Sequence, residues 1–388
     1  MLFIKLSCLY FFYFALLGLI APYLGLYLDS QGFTLFEIAE LASVLMMTKI
    51  IAPLLWGNLA DKYQNSLFLV RFGAISSMLS FLGFFYAQSF WQYAFIILLF
   101  SFFWNAILPQ IEVITLFNLE GKQDRYSQIR LWGSLGFISS VATAGMLFQY
   151  VGLYLYPVCM LVIFCCIILA SFFKLAEPKL ALINLQEKTG LIDRLTDYNV
   201  LLFFIICFLL QVSHGAYYTY FSIFLESLSY QKIEIGALWS LGVFAEVVLF
   251  VFMHKWLSLH TVKSIMLFSL FLSAIRWYFT AEFASNIYLL VILQCLHAFS
   301  FGSMHSAAIK FVHQSFHYQH QGRAQALYSS VGFGAGGALG AFLCGMLIMN
   351  ARYELIFMFS AFVALIACVL CLLMRSKAYD NDAPETVP

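Results

Sequence analysis

The chain has 388 residues, 63% of them hydrophobic and only 10% charged, with a formal net charge of +1. A soluble domain carries roughly 25% charged residues, so a water-solvated surface is excluded. No G-x-x-x-x-G-K phosphate loop ending in Ser or Thr occurs, which excludes nucleotide hydrolysis as a source of energy.

Crossing a bilayer takes about 20 apolar residues at a rise of 1.5 Å each. Twelve stretches qualify: 6–28, 36–56, 67–88, 91–117, 125–149, 153–173, 199–226, 233–253, 263–281, 287–313, 324–349 and 353–374. The first is too long for a signal-peptide core and lacks a small-residue cleavage site, so it is read as a span. The longest polar interruption, 174–198, carries Lys174, Glu177, Pro178, Glu187 and Asp197. It divides the chain into a six-helix bundle over 1–173, a cytoplasmic linker over 174–198 and a second bundle over 199–377. A disordered cytoplasmic tail is expected over 378–388. Most Lys and Arg residues fall in loops on one side, and only Lys232 and Arg352 on the other, which puts both termini in the cytoplasm. Two six-span halves around a central loop are the pattern of a duplicated carrier with its site near midplane.

Six ionisable residues lie in or at the edge of these spans: Lys49, Glu112, Arg130, Glu246, Arg276 and His297. Each costs roughly 2.5–3.5 kcal/mol on insertion scales. Together they imply a polar cavity lined by both signs of charge, which a carrier of a polar solute needs.

After the second span comes Gly57-Asn58-Leu59-Ala60-Asp61-Lys62. Gly57 permits close helix approach, and Asp61 can cap a helix and pair with a cation across a gate. The string resembles the G-x-L-a-D-R/K signature of the major facilitator superfamily, in that family's loop between helices two and three. The loop after span eight, His254-Lys255-Trp256-Leu257, does not preserve it.

Asn105, Pro109 and Glu112 share one helical face, as do Arg130, Ser134 and Phe137 in the next span. Glu112 and Arg130 read either as an ion pair at a helix end or as a substrate-facing pair, with Arg130 as a fork for carboxylate or hydroxyl oxygens. Tyr217, Tyr218, Tyr220 and Phe221 form an aromatic patch, either packing or a stacking wall for a ring-bearing substrate. His305 lies roughly 80° around an ideal helix from His297. No metal site is expected, because the chain offers neither H-E-x-x-H nor a Cys/His cluster. The glycines recurring from Gly332 to Gly345 are read as close helix packing.

The run from Arg130 to Phe137, with Glu112 upstream, resembles the lactose permease branch of the superfamily. Leu210-Gln211, His214 to Tyr218 and Leu238 to Val247 resemble the phenylpropionate permease-like group more closely. The resemblance implies an all-α membrane protein of 12 transmembrane helices with the major facilitator fold of two pseudo-symmetric six-helix bundles. It implies proton-coupled import of a small organic solute, with aromatic acids ahead of sugars. It also implies substrate binding by Glu112, Arg130 and Phe137, to which the shared helical face adds Asn105 and the aromatic patch adds Tyr217 and Tyr218. Proton coupling falls to Glu246, His297, Arg276 and His214, and gating to Gly57, Asp61 and Lys62. The sequence departs from the permease pattern at Ser300, where a second helix-ten carboxylate is expected, and at His214 and Gln294, where an Asp–Lys pair is expected.

No cofactor beyond a proton gradient, no nucleic-acid partner and no enzymatic activity are expected. The chain should act as a monomer in a bacterial inner membrane, since each copy encloses its own cavity. A lactose or oligosaccharide:proton symporter is the alternative, and a drug or metabolite exporter a further one, disfavoured because span five has no Pro among its glycines.

Overall fold

In hydrocarbon every backbone N–H and C=O must find its partner within the protein, so an isolated apolar run crosses as a helix. The computed structural model describes residues 2–63, 65–119, 124–176, 194–348 and 352–375, apart from a few side chains that include Asp61. Among these residues no strand occurs, and twelve helices are long and apolar enough to span. They are α1 (Leu2–Ser30), α2 (Leu35–Ala60), α3 (Ser66–Phe85), α4 (Phe90–Leu119), α5 (Arg125–Tyr150) and α6 (Leu153–Ser171). The second six are α7 (Tyr198–Ser227), α8 (Lys232–Leu259), α9 (Val262–Phe283), α10 (Ile287–Ser315), α11 (His320–Leu347) and α12 (Tyr353–Leu373). Most of the expected linker and the whole expected tail lie outside the described residues.

Polar residues in the loops set the helix starts. Gly32 takes a left-handed φ of +86° after α1. Two residues on, Thr34 and Glu37 form a reciprocal capping box: Glu37 Oε2 accepts the Thr34 N–H at 2.8 Å and Thr34 Oγ1 accepts the Glu37 N–H at 3.3 Å. Asn286 accepts two backbone N–H groups at the start of α10.

Helix pairing repeats with an offset of six. Helix α1 packs on α5 and α6 as α7 packs on α11 and α12; α2 and α3 pack on α4 as α8 and α9 pack on α10. The halves join through α2 against α11, α5 against α8 and α1 against α7. The described residues nearest the two termini lie at one end of the bundle. There Lys5 Nζ donates to the Lys174 carbonyl at 3.0 Å, and Asn199 exchanges two hydrogen bonds with Arg375.

Contacts between the halves gather toward the opposite end. Ser43 Oγ donates to the Ala338 carbonyl at 3.0 Å, Tyr220 to the Leu35 carbonyl at 2.8 Å and Lys232 N–H to Gln149 Oε1 at 2.9 Å. Phe36 meets Phe342 there as well.

Two expectations change. The gating motif is not in a loop: the helix of α2 runs unbroken to Tyr63, so Gly57, Asp61 and Lys62 lie on its last two turns. Hydropathy ends where polar residues begin, whereas a helix closes its own hydrogen bonds and continues past that point. The same applies to α8, which carries His254 to Leu257 as helix. Nor does Gly57 provide a close approach, for a Cβ there would meet nothing within 4 Å. The α2–α11 seam is tight further along, where Gly334 sits against the backbone of Lys49 and Ile50 and Gly345 against Ala39.

Candidate functional site

Three of the spans that carry candidate residues are broken at midlength. Helix α4 turns at Asn105-Ala106, α7 at His214, and α10 at Leu296-His297, followed by a wide π-type turn over Ala298–Ser303. Helix α11 has a second wide turn over Ser330–Gly336. Such turns leave the i→i−4 ladder locally unsatisfied and are frequent at functional positions.

In the second half the candidates assemble into one chain of contacts. Arg276 of α9 is fully buried. Its NH1 group lies 2.9 Å from His297 Nδ1 and donates to Ser300 Oγ at 3.1 Å; NH2 donates to Gln294 Oε1 at 3.3 Å. The guanidinium carbon Cζ lies 4.4 Å from the Tyr217 ring centre and 4.3 Å from that of Trp277. Tyr217 is itself buried and donates to Gln294 Oε1 at 3.1 Å. Beyond His297, its Nε2 stands 2.9 Å from Glu246 Oε1 of α8, although that oxygen makes no aligned hydrogen bond.

This order fixes the imidazole. A guanidinium has donors only, so His297 Nδ1 must accept and the ring hydrogen sits on Nε2, facing Glu246. A doubly protonated ring would press N–H against N–H at Arg276. Arg276 thus acts on Glu246 through a neutral imidazole.

His214 stands apart from that chain. Its Nδ1 donates to the Leu210 carbonyl of its own helix at 2.8 Å, and its ring meets Trp277 edge-on at 5.0 Å. Nε2 is left buried without a partner. Tyr218 stacks loosely on this ring at 6.0 Å.

In the first half Arg130 lies over the Phe14 ring at 4.0 Å, with Tyr10 at 5.9 Å. Glu112 faces the Tyr126 hydroxyl, with Arg130 near enough for charge interaction but no ion pair between them among the described residues. Arg130 also lies within electrostatic reach of Glu246 and His305, across the gap between the halves. Asn105 is buried and gives its amide to Thr48 Oγ1 at 2.9 Å, which donates to Ser101 Oγ at 3.0 Å, so its side chain is held in the α2–α4 seam. Phe137 is buried, and its backbone lies against Gly18 of α1.

The wide turn of α10 alters one expected angle. Instead of standing apart, His297, Phe301 and His305 stack in a column, with centroids 5.5 and 6.2 Å apart and planes within 15°. A turn closed by i→i+5 bonds advances less per residue than an α-turn, so steps of four stay in line. His305 Nδ1 lies 3.1 Å from the Tyr328 hydroxyl of α11. Sequence reasoning missed Tyr126 and Thr48 altogether. Gln294 and Ser300 were visible only as departures from a pattern, and are the polar partners of Arg276.

Residues 3–361 match the MFS_1 like family. The chain is 28% identical over 377 residues to the "Probable 3-phenylpropionic acid transporter" of Escherichia coli (strain K12), covering 93% of this chain and 95% of that protein. It is 28% identical over 338 residues to the "Uncharacterized transporter YwbF" of Bacillus subtilis (strain 168), covering 84% and 82%. It is 22% identical over 381 residues to the "Maltose permease" of Geobacillus stearothermophilus, covering 95% and 93%. Among solved structures, the nucleoside transporter NupG superposes with a TM-score of 0.87 as a point mutant, at 19% identity, over 96% of this chain and all of that one. A second NupG structure gives a TM-score of 0.80 at 18% identity.

Proposed function

We propose, from the premise that this chain belongs to the MFS_1 like family and is a multi-pass membrane transporter, that it imports a small aromatic carboxylate together with a proton. The name of the 28%-identical relative supports the substrate class. The observation that carries the coupling is the Arg276–His297–Glu246 chain at the middle of the bundle.

In the proposed cycle Arg130 and Glu112 receive substrate from the first half, and Tyr217 and Tyr218 border it from the second. Glu246 takes the proton. His297 holds its single ring hydrogen toward Glu246, and Arg276 favours release by drawing Glu246 back to its charged form. The halves then rock about the seams α2–α11 and α5–α8, with Asp61 and Lys62 latching the termini end. The chain works as a monomer in a bacterial inner membrane with both termini in the cytoplasm, the side to which most Lys and Arg residues are assigned.

The test is external pH during solute addition to de-energised proteoliposomes, across aromatic acids and sugars, with protein-free vesicles as control. Alkalinisation by 3-phenylpropionate that Glu246→Gln abolishes is the expected result. The same variant should keep exchange and lose uphill accumulation. Unimpaired accumulation in Glu246→Gln would remove Glu246 from the proton's path.

A further inference from the structure

We infer that Lys49 of α2 is the residue that receives the carboxylate of the transported solute. This rests on the transport reading above and names one more residue and its ligand chemistry.

Two faces of α2 are occupied by neighbouring helices. Thr48 and Trp56 turn to α4, through hydrogen bonds to Ser101, Asn105 and the Phe102 carbonyl. Ser43, Met46 and Ile50 turn to α11, against Ala338, Gly337 and Gly334. At 100° per residue, Lys49 emerges between those two faces, toward the gap that separates the halves. It stands 14 residues from either end of the helix Leu35–Tyr63, at midlength.

Lys49 has no hydrogen bond and no ion pair among the described residues. The facing stretch of α11, from Ser330 to Gly337, brings glycine rather than an acid to it. Of the acidic candidates, Glu246 stands at midlength beside His297, and Glu112 lies seven residues from the end of α4, beside Tyr126 and within charge reach of Arg130. Lys49, Arg130 and Arg276 therefore outnumber them by one. An uncompensated cation at this depth is costly, and such residues mark solute pathways. One carboxylate lowers that excess by one, whether or not Glu246 holds its proton. A sugar or nucleoside would not.

The experiment uses the purified full-length chain in detergent and in proteoliposomes, with 3-phenylpropionate and its uncharged amide as probes. The wild type should be thermally stabilised by the acid and not by the amide. Lys49→Gln should weaken apparent affinity for the acid by about tenfold or more, as loss of a charge-assisted hydrogen bond does. Lys49→Arg should restore most of it. If the acid binds Lys49→Gln as tightly as the wild type, Lys49 is not its receptor, while acid transport itself can stand on Arg130. If the wild type binds only the amide or a sugar, both the residue assignment and the acid reading fall. Glu246→Gln reports separately: it should bind the acid and fail only in uphill transport.

Discussion

His297 shows how much a single pair of distances decides. A histidine inside a proton-coupled site reads from sequence as a proton carrier. With Arg276 on one nitrogen and Glu246 beside the other, the proposed cycle makes it a positioning residue. Gln can reproduce that arrangement, with its oxygen accepting from Arg276 and its amide donating to Glu246. His297→Gln should therefore retain pH-driven accumulation within about tenfold of wild type, the weight of one imperfect hydrogen bond. His297→Phe should abolish it. If Gln proves as dead as Phe while both proteins remain folded, the imidazole itself carries the proton. The intramembrane charges were legible in the sequence because charge in an apolar run has few explanations. Their partners were not, since Ser300, Gln294 and Tyr126 are ordinary residues until a folded neighbour turns toward them.

At the scale of helices, the two halves share a device that their sequences barely show. Gly136 of α5 sits where any Cβ would collide with the Phe11 carbonyl of α1. Gly340 of α11 sits in the equivalent seam, where a Cβ would stand 2.5 Å from the Val212 carbonyl of α7. Interhelical approach in a membrane rests on such small residues. Gly340→Val should cost at least the 1–3 kcal/mol typical of overpacking and eliminate the monodisperse peak in size-exclusion chromatography. Gly57→Ala should leave that peak unchanged, for nothing packs on Gly57 in this conformation. Hydropathy located all twelve helices because bilayer thickness sets their length. It missed the ends of α2 and α8, where the helix outlasts its apolar run, and it missed the wide turns of α10 and α11, for which no residue pattern was read.

For the whole molecule, the fold was legible from hydropathy and one motif, while the relation between the halves was not, because it depends on which of several states the chain occupies. Here they touch at the end opposite the termini. A Cβ on Gly337 would lie 3.8 Å from that of Met46 across the α2–α11 seam, close to the mean separation in disulfides. The pair Met46→Cys and Gly337→Cys should oxidise readily, lose transport, and regain it on reduction. Persistent transport by the oxidised protein would show that the α2–α11 seam need not part near midlength. Glu246 stands near the middle of α8, 14 residues from Lys232, just as Lys49 stands at the middle of α2. That shared depth has an electrical meaning. The full membrane potential is worth about 2.3 kcal/mol per elementary charge per 100 mV, so a charge reaching midplane has met roughly half of it. In the proposed cycle, a proton arriving at Glu246 and an anion arriving at Lys49 meet the same fraction with opposite sign. Voltage alone, imposed with valinomycin and potassium, should then drive no accumulation, and a pH gradient alone should drive it fully.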